Sequence, residues 1–524
     1  MRIPLFLFVI ASFILPAQAQ MNVMNQYSNS VSKEDLKKYL SAIASDEFEG
    51  RETGTEGQRK AASYIEAQFK AIGLSGITPS RFLQEYPLYQ DSLMSTELRI
   101  GKTVGINGKD YLFPLMNNER GKLKSKKIVF AGYGIDDVNF SDYKTIDVHG
   151  KMVLIFMGEP FKGSTYLVSA TNLSSPWSGR DQISKKLSAA AVNGAVGVLF
   201  INQGNEEFSE RSIGNSRSTN IYYPNSSLRH AFISPAFAKK ILNNKVEYDI
   251  YQNLALTNQS FEGKYFTEKI KIKSALDFTR HIINASNVIG SLEGTDKKDE
   301  YVIVSAHYDH LGSRNGSVYY GADDDGSGTC SVLEIAKVFA KAKKDGFGPR
   351  RTMIFMTFSG EEKGLWGSEY YSDHPLRPLD KTSMDLNIDM VGRIDTERKT
   401  DDTLNYVYVV GHDKLSSDLE AMIEGANEKS SQLTLDYKFD SPMDRNRIYF
   451  RSDHYNFARK GVPVLFFYDG MLKSDYHKPT DTIDKIYWEL YEKRVRMIFS
   501  AAWAVANRDQ MMKRDLPLNT MGVR

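Results

Sequence analysis

The chain lacks several features on which common functional classes depend. Among its 524 residues is a single cysteine, Cys330, so an intrachain disulfide is excluded and we expect Cys330 to be a small buried apolar side chain. Lysine plus arginine (67) nearly balance aspartate plus glutamate (65), which leaves no strong field to attract nucleic acid or an anionic membrane. No G-x-S-x-G elbow occurs. Nucleic-acid binding and nucleophilic serine chemistry are therefore not expected.

The amino terminus has the composition of a signal peptide. An apolar run, residues 3–15, follows Met1-Arg2 and precedes Ala17-Gln18-Ala19, which has the small-x-small form of a signal-peptidase site. The run is shorter than the roughly 17–25 residues that a spanning helix needs. No cysteine immediately follows it, so lipid attachment of the bacterial lipoprotein type is excluded. We expect cleavage after residue 19 and an exported protein, periplasmic or extracellular, without a stable membrane anchor.

The length of the chain and the change in secondary-structure pattern along it predict two domains. A single core rarely grows beyond about 250–300 residues. Residues 30–110 and 270–510 are expected to form one discontinuous domain, in which helices 33–44 and 55–74 flank a polar loop, 45–54. Residues 120–265 read as an inserted, mostly β unit with short strands at 127–131 and 152–156. The inserted unit shows no catalytic constellation, so a packing or substrate-gating role is favoured for it.

From about residue 287 onward, strands alternate with helices. Strands are predicted at 301–306, 352–358, 386–388 and 462–467, and helices at 331–344 and 486–506. This pattern predicts an α/β fold with a mostly parallel central sheet that is covered by helices on both faces. Ligands of such sheets bind beyond the carboxyl ends of the strands.

Metal-binding side chains occur at or just after these strands. They are His307, Asp324, Glu362, Asp389 and His477. Two histidines and three carboxylates are too few for two separate cages, but they suffice if one carboxylate is shared by two cations about 3.5–4 Å apart. A mixed imidazole and carboxylate shell suits zinc, with manganese or cobalt as substitutes, whereas magnesium and calcium prefer oxygen alone. We therefore predict a dimetal hydrolase centre with two Zn2+ ions per chain.

The shared carboxylate is expected in the run of three aspartates at 323–325. Adjacent carboxylates repel one another unless a cation lies among them, and the flanking glycines let the backbone turn tightly. A calcium loop of the EF-hand type is disfavoured, because carboxylates at alternate positions and the closing glutamate are missing. Asp324 is assigned as the bridging ligand, with Asp323 and Asp325 as alternatives.

Neighbouring residues are predicted to support these ligands. Glu361, beside Glu362, is the natural general base for a metal-bound water, and both glutamates can serve one site if the strand before them has ended. Asp309 is placed to accept the second ring N–H of His307.

A buried salt bridge with Arg393 is the alternative explanation for Asp389.

Other histidines are weaker candidates. His310 and His454 lie close in sequence to expected site elements and remain open. The rest are taken as structural or surface groups: His149, His230, His281, His374 and His412.

These motifs resemble the exported di-zinc peptidases related to bacterial leucyl aminopeptidases and glutamate carboxypeptidases. The resemblance covers most of the mature chain and is carried by 45–58, 287–312, 321–328, 359–368 and Arg451-Ser452-Asp453-His454. The segment 120–265 is similar to a protease-associated domain, which in such enzymes lies near the active-site entrance.

The resemblance also implies roles for individual residues. It implies one zinc held by His307, Asp324 and Asp389, and a second held by Asp324, Glu362 and His477. It implies that Glu361 is the general base. It also implies that Tyr476 hydrogen-bonds the tetrahedral intermediate. The Asp324–Asp325 peptide is expected to be cis.

The expected activity follows from this ligand set. We expect an exported zinc-dependent aminopeptidase that hydrolyses amino-terminal residues from peptides through a metal-bridged water activated by Glu361. Alternatives within the same fold are a carboxypeptidase for acidic dipeptides and an aminoacyltransferase of the glutaminyl cyclase kind. A non-catalytic receptor-like module is disfavoured, because every ligand and the base are present. Peptide substrates are the expected partners.

Overall fold

A computed structural model describes residues 17–518, except for 77, 79–80, 116–119, 180–181, 203–207, 209–216, 222–227, 243–244, 262–263 and 442. Residues 1–16 of the predicted signal peptide, which spans 1–19, lie outside the described residues. The chain divides into two compact units. Among the described residues, the first contains 17–86 and 284–518, and the second contains 87–283.

The helices are numbered in chain order. They are α1 (Ala17–Ser28), α2 (Lys33–Ile43), α3 (Glu56–Ile72), α4 (Gln182–Val192), α5 (Pro235–Ile241), α6 (Lys245–Leu256), α7 (Gly328–Lys344), α8 (Trp366–Asp373), α9 (Leu419–Glu428), α10 (His454–Ala458) and α11 (Trp488–Asn507). Within the described part of the chain, no helix combines the length and apolarity that a membrane crossing requires.

The strands are numbered in the same way. They are β1 (Leu83–Ile100), β2 (Thr103–Val104), β3 (Tyr111–Leu112), β4 (Gly121–Ser125), β5 (Ile128–Phe130), β6 (Met152–Phe156), β7 (Phe161–Lys162), β8 (Thr165–Tyr166), β9 (Gly197–Ile201), β10 (Arg217–Asn220), β11 (Arg229–Ile233), β12 (Phe266–Glu268), β13 (Ile272–Leu292), β14 (Lys297–His307), β15 (Ser313–Arg314), β16 (Ser317–Val318), β17 (Arg351–Phe358), β18 (Thr382–Ile388), β19 (Tyr406–Val410), β20 (Thr434–Asp436) and β21 (Val464–Tyr468).

The central sheet of the first unit has the order β13-β17-β14-β18-β21-β19-β20. Strands β17, β14, β18 and β21 are parallel to one another, whereas β13 runs antiparallel to β17 and β19 runs antiparallel to β21. His307 pairs with Phe358, and Ile388 pairs with Phe467. The carboxyl ends of the four parallel strands therefore lie along one edge of the sheet, as the predicted fold requires.

Helices cover both faces of this sheet. Along β14, Val302 and Val304 belong to one buried cluster and Ile303 to another, because successive side chains of a strand point to opposite faces. Residues of α2, α3, α7 and α11 pack in the first cluster, and residues of α8 and α10 pack in the second. The prediction of a mostly parallel sheet covered on both faces is confirmed.

The helices before the sheet begin and end where local sequence favours it. The side chain of Ser32 caps α2 by accepting the N–H of Asp35. The side chain of Thr55 likewise accepts the N–H of Gln58 at the start of α3. Helix α3 ends at Gly73, whose φ of 88° is accessible to glycine without strain.

The second unit has a sheet with the order β12-β5-β6-β9-β11-β3. Strands β5, β6, β9 and β11 are parallel, and β3 and β12 pair antiparallel at the edges. A separate apolar core surrounds this sheet and includes residues of α4, α5 and α6. Its assignment as a protease-associated domain stays a prediction.

The compact units divide at different residues from the expected 120–265. In the second unit, β1 pairs with β10 through Tyr89 and Asn220, and β13 pairs with β4 through Ile272 and Ser125. These pairings explain why residues 87–110 and 270–283 group with the insert.

Candidate metal centre

The candidate side chains gather at one edge of the central sheet. His307 is the last residue of β14, Asp389 follows β18 directly, and Glu361 and Glu362 follow β17. Gly360 has a φ of +77°, so the backbone leaves the strand before the two glutamates, which lie in a short 3-10 turn. This turn lets both carboxylates approach the same site.

Asp324, in the loop before α7, lies between two histidines. Its Oδ1 is 3.3 Å from Nε2 of His307, and its Oδ2 is 3.2 Å from Nε2 of His477. On one side, Oδ1 of Asp389 lies 3.5 Å from the same nitrogen of His307. On the other side, Oε2 of Glu362 lies 3.1 Å from Nε2 of His477. The five side chains thus form two groups that have Asp324 in common.

Both neighbours of Asp324 accept hydrogen bonds from the backbone, Asp325 through two oxygens and Asp323 through one. Both carboxylate oxygens of Asp325 accept main-chain N–H bonds of 2.8–3.1 Å. Oδ1 of Asp323 accepts the N–H of Gly392 at 2.8 Å. The Asp324–Asp325 peptide is cis, as the resemblance implies. The geometry therefore favours Asp324 over its neighbours as the shared ligand.

The two histidines that the sequence left open have different surroundings. Nδ1 of His310 is 2.8 Å from Oε1 of Glu362 and 4.0 Å from Oδ2 of Asp324, so His310 is part of the site. In contrast, Nε2 of His454 pairs with the carbonyl of Tyr449 at 2.8 Å. Burial lowers the pKa of His454 to about 3. His454 is a neutral packing residue.

Asp309 supports His307 in a different way from the one expected. Nδ1 of His307 lies 3.0 Å from the backbone carbonyl of Asp309, whereas the nearer carboxylate oxygen is 3.7 Å away. The carboxylate of Asp309 instead accepts the hydroxyl of Thr53 at 2.6 Å and the N–H of Glu361 at 3.2 Å. The carbonyl contact fixes Nδ1–H as the donor and leaves Nε2 to face the site.

Asp389 is not held by a buried salt bridge with Arg393. The guanidinium of Arg393 pairs with Asp475 at 2.9 Å and approaches Asp481 to 3.9 Å. Asp389 faces His307 instead. The alternative explanation for this carboxylate is therefore not supported by the geometry.

A small cleft opens beside the carboxylates. Its lining includes Asp324, Glu361 and Asp389, apolar side chains, and the pair Arg451 and Tyr476. Nη2 of Arg451 donates a 2.9 Å hydrogen bond to the hydroxyl of Tyr476. The ring of Tyr476 stacks on His477 with centroids 3.8 Å apart. The phenol is thereby held at the cleft next to a candidate ligand.

Crowding of buried carboxylates dominates the electrostatics. Burial would lower the pKa of His307, yet Asp389 and Glu361 raise it well above its usual range. The pKa of His477 is likewise raised to about 10, because Asp324 and Glu362 outweigh its burial. Burial and the neighbouring carboxylates Glu362 and Asp389 raise the pKa of Glu361 well above its usual range. Without a cation, protons must offset this negative charge.

The donor set fits zinc. Nε2 of His307, Nε2 of His310 and Oδ2 of Asp324 are buried, and no hydrogen bond to them is formed by the residues that the structure describes. Such groups are costly unless something binds them. Histidine nitrogens and carboxylate oxygens around a shared aspartate suit two zinc ions, which would replace the protons that the histidines otherwise carry.

A second group with ligand chemistry lies elsewhere. His412, Asp413 and Asp440 come close enough to hold a cation. However, Asp440 already accepts the N–H of Gly411 and is paired with Nζ of Lys414 at 3.1 Å. These interactions account for the negative charge without a metal ion.

Several site residues were not chosen from the sequence. Arg51 and Thr53 lie in the polar loop 45–54, and Arg451 lies in a motif that the resemblance included without a role. Only loop position and polarity could have indicated them, since neither their spacing nor an apolar strand distinguishes them from surface residues.

Comparison with known families finds a match for the part of the chain that contains the candidate site. Residues 287–502, which contain every candidate ligand, match the model of peptidase family M28. This segment is similar to peptidase family M28. The match begins in β13 and ends in α11, and so spans the parallel strands that carry the site.

Curated relatives match over parts of their length. A probable zinc metalloprotease of Pyrenophora tritici-repentis is 28% identical over 204 residues, covering 38% of this chain and 44% of the relative. Aminopeptidase YwaD of Bacillus subtilis is 25% identical over 245 residues, covering 44% of this chain and 46% of the relative. The matched region thus spans less than half of the length of these relatives.

One solved structure resembles the chain over nearly all of its length. The aminopeptidase from Aneurinibacillus sp. strain AM-1 aligns with a TM-score of 0.52 and 20% identity, covering 95% of this chain and 100% of that chain. At this identity the likeness shows the fold, which agrees with the predicted α/β architecture.

Proposed function

We propose that the chain is an exported di-zinc aminopeptidase that removes single residues from the amino termini of peptides. The M28 segment and the relatives named as a zinc metalloprotease and an aminopeptidase support a zinc-dependent peptidase. The observation that carries the dimetal part is the position of Asp324, whose two oxygens each approach a different histidine.

Each zinc would have three protein ligands. The first would be held by His307, Asp324 and Asp389, and the second by Asp324, Glu362 and His477. When bound, zinc lowers the pKa of water and polarises a carbonyl group, which makes hydrolysis of a peptide possible near neutral pH.

Glu361 is suited to move the proton. Its carboxylate lines the cleft, and its Oε2 lies 3.9 Å from Nε2 of His307. In the proposal it accepts a proton from the attacking water and returns it to the leaving amine. Burial and neighbouring carboxylates raise the pKa of Glu361, and bound cations would lower it, so the basic form is available when the site is loaded.

Tyr476 is suited to stabilise the oxyanion of the tetrahedral intermediate. Because its hydroxyl oxygen accepts the bond from Arg451, its own O–H remains available to donate toward the cleft. A preorganised donor of this kind acts where charge develops in the transition state.

One observation keeps the carboxypeptidase alternative in view. Arg451 lines the cleft and would also suit the carboxylate of an acidic dipeptide. A curated relative, named a probable glutamate carboxypeptidase of Arabidopsis thaliana, is 37% identical over 109 residues, which cover 21% of this chain and 15% of the relative. Cleavage of N-blocked acidic dipeptides would favour this reading.

The test compares free and blocked amino termini. Purified protein should hydrolyse leucine p-nitroanilide, lose this activity with a chelator and regain it with zinc, and leave N-acetyl-leucine p-nitroanilide intact. Cleavage of the blocked substrate at a similar rate would contradict an aminopeptidase. Conversion of an amino-terminal glutamine to a ring would indicate the cyclase-like alternative.

Export is tested separately. The apolar run and Ala17-Gln18-Ala19 support cleavage after residue 19. The mass of the protein recovered from a secreting host should correspond to a chain that begins at Gln20. An intact amino terminus on the exported protein would contradict this proposal.

A further inference from the structure

A buried arginine connects segments that are distant in sequence. Arg51 is fully buried, and its guanidinium donates to the carbonyls of Ile43 (2.9 Å), Tyr308 (2.7 Å), Tyr320 (2.7 Å) and Gly321 (2.9 Å). Among the described residues, no carboxylate forms an ion pair with it. A buried charge that is satisfied only by main-chain carbonyls is costly, so a compensating role is expected.

Two of the carbonyl groups that Arg51 contacts lie in segments that carry candidate metal ligands. Tyr308 directly follows the candidate ligand His307, and Gly321 begins the turn that leads to Asp324. A guanidinium is a planar, rigid fork, so its bonds fix the separation of the carbonyls that it contacts. Arg51 therefore sets the distance between the segment of the first histidine and the loop of the shared aspartate.

Thr53 makes a second connection from the same loop. Its hydroxyl donates to Oδ2 of Asp309 at 2.6 Å and accepts the N–H of Gly360 at 2.8 Å. Oδ1 of Asp309 accepts the N–H of Glu361 at 3.2 Å. Thr53 and Asp309 thus hold the turn of the candidate base against the segment that follows His307.

Close backbone packing keeps this loop in place. Gly312 donates its N–H to the carbonyl of Gly50 at 2.9 Å. A Cβ atom at Gly50, where φ is +70°, would lie 2.5 Å from the carbonyl oxygen of Gly312 and 2.6 Å from that of Tyr319. Only glycine fits there, and the loop therefore lies directly on the 308–320 segment.

We propose that Arg51 and Thr53 form a clamp that positions the metal centre. Arg51 holds the His307 segment and the Asp324 loop at the spacing that zinc requires, and Thr53 holds the Glu361 turn against Asp309. This inference rests on the proposed dimetal function. The two residues are positioning residues, because neither is placed to touch zinc or substrate.

The Arg51 half of the clamp is tested by zinc affinity. Arg51→Met and Arg51→Lys should raise the dissociation constant for zinc about 10–100-fold, the usual range for residues that orient metal ligands. The matched control is Arg351→Met. Arg351 is also buried and donates to the carbonyls of Val505 and Arg508, but it pairs with Glu300 at 2.8 Å and lies at the start of β17, away from the site. Competition with a chelating dye, after circular dichroism has verified the fold, measures affinity without activity.

The Thr53 half is tested by turnover. With zinc at saturation, Thr53→Val should keep two ions per chain and lose about 10-fold or more in kcat, with little change in KM. Thr53→Ser keeps the hydroxyl and should restore kcat. Thr352→Val is the control, because the hydroxyl of Thr352 also donates one hydrogen bond and accepts an N–H, although its acceptor is a main-chain carbonyl (Lys298, 2.7 Å; N–H of Gly294, 3.0 Å). A purely structural hydroxyl would affect stability in both variants and spare kcat.

The outcomes separate the clamp from the proposed function. If wild-type protein binds no zinc, or binds zinc and hydrolyses no peptide, the proposed function fails. If wild-type protein binds two zinc ions but Arg51→Met binds them as tightly as Arg351→Met, the Arg51 half is overturned. Wild-type kcat in Thr53→Val overturns the other half. If both Arg51 variants fail to fold, the Thr53 series decides.

Discussion

Glu361 and Glu362 adjoin in sequence, but their carboxylates face different partners. The oxygens of Glu362 lie 2.8 Å from His310 and 3.1 Å from His477. Within the described residues, the carboxylate of Glu361 accepts no hydrogen bond and borders the cleft. Close contact with ring nitrogens suits a ligand, and a carboxylate at the cleft that lies 3.9 Å from Nε2 of His307 suits a base.

We expect opposite effects from removing these two charges. Glu361→Gln should keep two zinc ions per chain and lower kcat about 10²–10⁴-fold, because the general base is lost. Glu362→Gln should lower zinc occupancy, and excess zinc should restore part of the activity. Elemental analysis beside turnover, on both purified variants, checks this.

The reverse result would exchange the roles. If Glu361→Gln lost zinc while Glu362→Gln kept two ions and only slowed turnover, the assignments of the two glutamates would be wrong. If neither change affected activity, hydrolysis at this site would have no support.

At the scale of single residues, the sequence indicated the side chains that gather at the candidate site better than the residues that hold them in place. His307 and Asp389 were recognisable because a polar ligand at the end of an apolar strand is costly without a partner. His310 and Thr53 gave no such signal, because polar residues in loops are ordinary. The partner of His307 was also only partly predictable, since a backbone carbonyl cannot be distinguished from a carboxylate in sequence.

Among the elements, α4 carries an unusual buried lysine. Nζ of Lys186 donates to the carbonyls of Tyr133 and Gly158, both at 2.6 Å. Burial lowers the pKa of Lys186 to about 7, although Asp142 and Glu159 act in the opposite direction. The ammonium form is therefore disfavoured in the folded unit.

This lysine should make the stability of the protein pH-dependent. Between about pH 7 and 10.5 Lys186 is neutral when folded and protonated when unfolded, so unfolding takes up a proton. The free energy of unfolding of the wild type, relative to Lys186→Met, should therefore rise with pH by up to about 1.4 kcal/mol per unit and fall as the pH drops toward 7. Urea unfolding at several pH values measures it.

A neighbouring residue supplies the control. Lys185, next along the same helix, is exposed, so Lys185→Met should track the wild type at every pH. Parallel pH profiles for the wild type and Lys186→Met would show that the lysine is protonated in both states.

Strands that consist mainly of apolar residues were predictable from the sequence, whereas strands that include several polar residues were less so. The predicted strand 352–358 lies within β17, which begins one residue earlier and is buried throughout. The start of β18 was missed, because Thr382, Ser383 and Asp385 are polar yet fully buried. Oδ1 of Asp385 accepts the hydroxyl of Ser305 at 2.7 Å, and this partner lies on another strand, so the local sequence pattern does not reveal it.

At the scale of the whole molecule, every candidate ligand belongs to the first compact unit. Metal binding adds stability to whichever unit contains the site. Removing zinc should therefore speed hydrogen exchange in residues 284–518, most of all near 307–325 and 358–365, and leave residues 87–283 unchanged. Hydrogen-exchange mass spectrometry with and without chelator measures this, and an equal increase in both units would contradict it.

Two compact units agree in number with the domains expected from chain length and secondary-structure pattern, but the borders of these units differ from the expected ones. Strands β1 and β13 continue as single elements across the unit boundaries at Tyr86 and Ile283. A continuous strand gives no break in composition, so pairing partners such as β10 and β4 decide the grouping.

The central claim is that one aspartate serves two metal ions. The most direct measurement is zinc per chain for the wild type, Asp389→Asn and Asp324→Asn, each dialysed against the same low zinc concentration. We predict two ions for the wild type, one for Asp389→Asn, and near loss of both for Asp324→Asn, because among the described residues only Asp324 approaches both His307 and His477. Retention of one ion at wild-type affinity by Asp324→Asn would contradict the shared-ligand account.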